Sequence, residues 1–395
     1  MPFLSRQHLT MLVFFLQPVP FGGWLPRIPD VQHALGLGPA ALAVALLGLP
    51  CGTLLTLPFA GPMVERIGAH RGMLIGLPLN FLAVCLPALA PSQLTLFLAL
   101  MLTGATLSFV ELSLNVTAAE AEKATGNLIM SKSHGFWSLG IMAGSLIGAG
   151  MAGLGLSPVL SVPIAAIVAL PVAIFVVKQL PAGANTAHAR DSHRPSFQLP
   201  SWALLAICLF VFGTTMTEGA MADWSAVFMR SVLGADAATA GLGYSAFALV
   251  VALGRLVGDR LRERWGATIL ARVCGAFAIA GVAVLVVAPN APLAYLGFGI
   301  IGLGVSVGFP LGVSAAAALP GSASQNVAVL SFVALTGFLV GPPLIGFIAE
   351  HVAMRVGLAV LIPALAVSLA FTYRLRQAEA ASADPAADLQ PARAE

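Results

Sequence analysis

Apolar residues run in long stretches along almost the whole chain, broken by clusters of charge or by Pro and Gly turns. Twelve such stretches lie near 8–29, 39–62, 72–90, 94–119, 133–154 and 157–178, then 200–228, 236–258, 268–288, 292–318, 326–349 and 354–374. A helix needs about 20 mostly apolar residues to cross the hydrocarbon of a bilayer. In lipid every backbone N–H and C=O must be satisfied internally, which favours such helices. The pattern predicts an all-α polytopic membrane protein of twelve transmembrane helices.

The polar interruptions organise these segments. The longest interior one, AGANTAHARDSHRPSFQ, divides a six-helix bundle over 1–180 from a second over 200–376, with a linker at 181–199. The Ala-, Pro- and acid-rich residues 377–395 read as a disordered tail. Glu65-Arg66 with Gly68-Ala69 recurs as Glu263-Arg264 with Gly266-Ala267, an offset of 198 residues. The same offset relates Leu35-Gly36 to Leu233-Gly234, Gly104 to Gly302, Ser108 to Ser306, and Ala118-Ala119 to Ala316-Ala317. Six helices are written twice, and because six is even the two copies are parallel repeats.

Composition sharpens this picture. The chain is 58% hydrophobic and 9% charged, too few charges to coat a soluble protein of 395 residues. With both termini cytoplasmic, sixteen of the nineteen Lys and Arg fall at inner loops, tails or inner helix ends, and only Arg27, Arg230 and Arg355 fall outside. That bias orients the protein as a multi-pass protein of the bacterial inner membrane, and it accounts for the formal charge of +3. No basic stripe with interleaved aromatics points to nucleic acid. Cys51, Cys85, Cys208 and Cys274 stand singly, without metal-ligand or redox spacing. No phosphate-binding Gly-rich loop precedes a Lys, so ATP is not the fuel. The N-terminus reads as the first membrane helix rather than a removed signal peptide.

Polar groups kept inside hydrocarbon are costly and invite a functional reading. Ser108, Glu111, Asn115 and Glu122 share one face of the fourth segment. The repeat puts Phe309 opposite Glu111, so the carboxylate is no requirement of the fold. Glu111 can carry a proton or contact a solute hydroxyl; the competing reading is local pairing that locks helix packing. Gln17, Glu218, Trp137 and Tyr244 are further candidates, the aromatics either stacking on a sugar or packing in the core. Trp24, Arg27 and Asp30 close the first segment, and Glu218 and Asp223 are placed in the outer part of the seventh. Arg27 is expected to pair across the halves with Asp223 or Glu218 as an outer gate, the alternative being independent snorkelling. His134, beside Lys132, reads more simply as a hydrogen-bonded structural residue than as a proton sensor.

Twelve helices in two parallel halves, with a Gly-x-x-x-acid-Arg-x-Gly phrase between the second and third, resemble the major facilitator superfamily. The matching residues are Gly61, Glu65, Arg66, Gly68 and Arg71, with Glu in place of the usual Asp and His70 in place of a base. The second copy keeps Glu263, Arg264 and Gly266, with Asp259 replacing the leading Gly. The wording GGWLPRIPDV, NVTAAEAE, SHGFWSLG and EGAMADWS is similar to a bacterial YbjJ-like branch, related to sugar permeases of the fucose type. Leu100 stands where many proton-driven members carry Arg, and the exporter motif of the fifth helix is reduced to Gly135, Gly144, Gly148 and Gly153. The resemblance implies that Glu120 and Glu122 help hold the charged loop as part of a cytoplasmic gate. It also implies a secondary transporter, not an enzyme, that moves a small sugar-like solute by alternating access; the embedded acids point to coupling with a proton, with uniport as the alternative. Efflux of small organic molecules is the alternative, and a membrane receptor or enzyme a minor one. The expected partners are the solute, a proton and the lipid bilayer, for a monomer with no cofactor and no metal.

Overall fold

The computed structural model describes residues 5–126, 129–181, 200–320 and 322–375; most of the expected linker and all of the expected tail lie outside these residues. Twelve helices are long and apolar enough to cross a membrane: α1 (Arg6–Ala34), α2 (Pro39–Ile67), α3 (Ala69–Leu89), α4 (Gln93–Thr125), α5 (Lys132–Gly153), α6 (Pro158–Gln179), α7 (Trp202–Ser231), α8 (Ala237–Trp265), α9 (Ala267–Val287), α10 (Ala291–Ala317), α11 (Gln325–His351) and α12 (Met354–Leu375). Several outrun the apolar stretches. The charged ends of α2 and α8 continue as helix because charge does not stop a helix, and both stop at glycine. Gly68 and Gly266 take φ of 84° and 76°, a left-handed turn that only glycine adopts without strain. α1 is irregular, turning at Gln17-Pro18 and passing through a 3-10 turn at Leu25–Arg27.

The repeat is visible in these local details. Gly36 and Gly234 have φ of 61° and 63°. Ser92 and Asn290 are extended N-caps of α4 and α10, each accepting a backbone N–H three residues on. Packing repeats as well. In the first half α1 packs on α5 and α6, and α4 on α2 and α3; in the second α7 packs on α11 and α12, and α10 on α8 and α9. Between halves, α5 packs on α8 and α2 on α11, an exchange that a pseudo-twofold axis requires.

Membrane helices gain nothing from hiding apolar surface from apolar lipid, so close backbone approach matters more. On α5, a methyl at Gly140 or Gly144 would land on the carbonyl oxygens of Phe15 and Val19 of α1. Outward, Leu55, Phe59, Leu82, Ile167, Phe175 and Phe347 are exposed, as a lipid-facing belt demands. Since the number of crossings is even, the described chain begins and ends on one side, called here the terminal face; the opposite side is the far face.

Candidate functional site

The two halves are latched at the far face. Asp30 of α1 accepts from Arg230 of α7 at 3.3 Å and pairs with Arg27 at 3.0 Å. Arg27 also donates to the Leu156 carbonyl in the α5–α6 turn at 2.6 Å. Glu350 of α11 accepts the Ala40 N–H in the first turn of α2 at 3.3 Å, so a carboxylate of one half caps a helix of the other. Between α5 and α8, Ser145 donates to the Gly241 carbonyl and Ser245 donates to Ser145 at 3.0 Å. Trp24 and Trp224 are buried in the apolar core beneath these contacts.

At the terminal face a cavity of about 340 Å³ opens between α5, α8 and α10. Its polar lining is His134, Arg255, Asp259, Arg262, Ser306 and Ser314. Arg255 is its centre. The guanidinium donates to Glu218 of α7 at 2.8 Å, to Ser138 of α5 at 2.8 Å and to the Ser306 carbonyl of α10 at 3.4 Å. One side chain therefore ties four helices together, three of the second half and one of the first. Arg262 donates to Ser314 at 2.9 Å. Asp259 is exposed and has no ion pair among the described residues. The His134 imidazole meets the Phe14 ring edge-on at 5.5 Å.

A second polar chain crosses the first half. Trp137 donates to Gln17 at 3.1 Å, Gln17 to Asn80 at 3.4 Å, and Asn80 to Thr106 at 3.1 Å, joining α5, α1, α3 and α4. On α4, Val110, Leu114 and Ala118 pack toward α1 and α3, while Leu112 and Val116 pack on α2. The face carrying Ser108, Glu111 and Asn115 lies between those two packed faces. Glu111 is half-buried and makes no hydrogen bond or ion pair to any described residue, and the Asn115 Oδ1 atom is buried without a donor. None of the three lines the 340 Å³ cavity.

A sequence profile described as Major Facilitator Superfamily matches residues 10–334 and 225–394. The chain belongs to that superfamily. It is 29% identical over 361 residues to an uncharacterized MFS-type transporter of Yersinia pestis, covering 90% of this chain and 92% of the relative. It is 31% identical over 359 residues to an uncharacterized transporter, y4wD, of Sinorhizobium fredii, covering 87% and 90%. A mutant of the nucleoside transporter NupG has the same fold, with TM-score 0.73 at 13% identity over 95% of this chain and 100% of that one. So does a variant of the Escherichia coli fucose:proton symporter FucP, with TM-score 0.64 at 15% identity over 93% and 98%. The protein is thus an MFS transporter and not an enzyme.

Against this frame several expectations need correction. Arg27 does not pair with Asp223 or Glu218: it is held by Asp30 and Leu156, within its own half. The 3-10 turn alters the phase of α1 and turns Arg27 toward the α5–α6 connection. Glu218 lies mid-way along α7 and not in its outer part, because α7 runs on to Ser231. Asp223 is half-buried, without a described hydrogen-bond or ion-pair partner. Glu120 pairs with Arg6 at 3.0 Å, and Glu122 accepts the Ile129 and Met130 N–H groups at 2.6 and 2.8 Å, capping the start of α5. Neither acid holds Arg66 or Arg71, which are exposed, as are Glu65, Glu263 and Arg264. Gly61 faces open space. Tyr244 is buried against Phe247, and Trp137 is half-buried. His134 makes no side-chain hydrogen bond to a described residue and faces the cavity.

Sequence reasoning missed Arg255, counted among inner bases, and Asn80, hidden in an apolar segment. The repeat carried a usable signal, because the offset sets Arg255 opposite Leu57 just as it sets Glu111 opposite Phe309. A charge in one copy alone marks a task that the scaffold does not share.

Proposed function

We propose that this MFS transporter moves a small polyhydroxylated, sugar-like solute by alternating access, coupled to a proton. The observation that carries the reading is the pairing of far-face latches with a cavity at the terminal face, one of the two states that a rocking pair of bundles visits. Uncharged hydrogen-bonding groups suited to hydroxyls, among them Gln17, Asn80, Asn115 and Ser138, lie on α1, α3, α4 and α5 of the first half. Coupling to a proton is supported by Glu111, an ionisable group inside a membrane helix with no described partner. The fold neighbours include a nucleoside transporter and a fucose:proton symporter.

The excess of bases at the terminal face orients that face to the cytoplasm, in the bacterial inner membrane, so the state is inward-facing. A reporter inserted at Ala187 is expected to be cytoplasmic and one near Gly234 periplasmic. A periplasmic signal at Ala187 would reverse the orientation. The functional test is accumulation by purified protein in liposomes under an imposed pH gradient, over a panel of sugars, polyols, sugar acids, nucleosides and cationic drugs. A polyhydroxylated member should accumulate and lose its gradient on adding an uncoupler. Uptake of cationic drugs alone would favour the efflux alternative.

A further inference from the structure

Arg255 is held by three hydrogen bonds to three other helices among the described residues, and its partners are unusual for a purely structural arginine. Glu218 neutralises it from α7, while Ser138 reaches it from the other half. The guanidinium still lines the cavity and keeps N–H groups beyond the three bonds it makes. Around it the cavity presents Arg262 and His134 against a single acid, Asp259.

We propose that Arg255 is the docking point for the carboxylate of a small hydroxylated acid, which takes the place that Glu218 holds in this structure. The inference rests on the transport reading above and narrows its solute from sugar-like to sugar-acid-like. The argument is one of charge. Arg255 does not lose its proton in a protein, and removing the partner of a part-buried cation without replacement is expensive. A neutral sugar cannot replace the Glu218 carboxylate; an anionic solute can. The fork of a guanidinium matches a carboxylate, and Ser306 and Ser314, which line the cavity, supply groups for hydroxyls. Glu218 then has to give up its own charge, and it does so by binding a proton. The step is balanced: one proton adds to Glu218, one carboxylate replaces it at Arg255, and the net charge of the site is unchanged. This proton offsets the charge of the solute and is separate from the driving proton assigned to Glu111.

The groups that set this exchange can be named. Tyr244 on α8 lies within electrostatic reach of Glu218, Arg255 and Asp223. His134 on α5 lies within reach of Arg255. α11 and α12 approach α7 with Phe338 at Gly219 and Ser368 at Gly213, neither of them charged. Arg255 holds Glu218 through Nη2 and Ser138 of the first half through Nη1, so one guanidinium carries both the exchanged contact and a bond between the halves.

The test uses full-length protein in lipid nanodiscs and matched pairs: gluconate with glucitol, glycerate with glycerol, and glucuronate with glucose. Binding is read by calorimetry at pH 6 and pH 8, and proton uptake in weak buffer. At least one acid should bind where its neutral counterpart does not, weakening by up to about tenfold per pH unit as the pH rises. In Glu218→Gln the acid should bind equally at both pH values, and uptake per acid bound should fall by one proton relative to wild type. Arg255→Gln should weaken the acid at least about tenfold, with partial recovery in Arg255→Lys, which keeps the charge. Binding of neutral members as tight as their acids, an unaltered pH dependence in Glu218→Gln, or no acid binding at all would each overturn the proposal. The first of these leaves the sugar-transport reading standing. That reading fails separately, if no solute accumulates in liposomes.

Discussion

Replacing Glu111 with Gln should collapse accumulation of the solute while leaving the protein folded and able to exchange solute across the membrane. Glu111 makes no described ion pair or hydrogen bond, so the isosteric amide breaks no contact. A carboxylate at the centre of a membrane helix costs about 2.5–3.5 kcal/mol on insertion scales, and the amide relieves most of that. What it loses is the ability to bind and release a proton. Asn115 lies one turn along the same face with its Oδ1 buried and undonated. One proton moved across 100 mV supplies about 2.3 kcal/mol, enough for roughly a fifty-fold concentration ratio. In Glu111→Gln that ratio should fall to near one, while counterflow of labelled against unlabelled solute continues. Undiminished, uncoupler-sensitive accumulation would remove Glu111 from coupling and pass the role to Glu218 or Asp223. Loss of counterflow together with accumulation would instead mark Glu111 as a solute contact.

The fold was legible because its signals are long and periodic. Twelve apolar runs and a shared offset of 198 residues define the helices and their duplication. Gly68 and Gly266 end α2 and α8 where the charged phrase does, since a left-handed turn needs glycine in both copies. The site was legible only by residue type. Glu111 could be found as a charge where lipid forbids one, but the pairing of Glu218 with Arg255 depends on how far each helix runs. Reading α7 as ending near residue 228 pushed Glu218 outward, and breaking α8 at its charges made Arg255 an inner base. Both errors came from treating charge as the end of a helix, when α7 runs on to Ser231 and α8 stops only at Gly266. Arg27 failed for another reason: the turns in α1 rotate everything beyond Pro18 away from simple helical phase.

The far-face latch should respond to Asp30 and Arg230 alike and less to Arg27, because the Asp30–Arg230 ion pair joins the halves while Arg27 bonds within its own half. Arg230 reaches it across the halves, with side-chain exposures of 32% and 20%, so this bond is partly hydrated. Such pairs contribute about 0–1 kcal/mol, which shifts a two-state population by up to several-fold without locking it. A Cys replacing Ser225, buried on α7, reports opening of the far face to a membrane-impermeant maleimide. Asp30→Asn and Arg230→Gln should each speed labelling several-fold, and the double variant should add little, since either change alone breaks the same bond. Arg27→Ala should do less directly, because its bonds stay within one half. Glu350→Gln should add to any of these, because it loosens a separate contact between α11 and α2. Charge reversal would mislead here: a base at position 30 would face Arg27 as well as its new partner. Independent, additive effects of Asp30→Asn and Arg230→Gln would mean that their bond does not hold the far face shut. The latch would then rest on Glu350 and on the Ser145–Ser245 contact between α5 and α8.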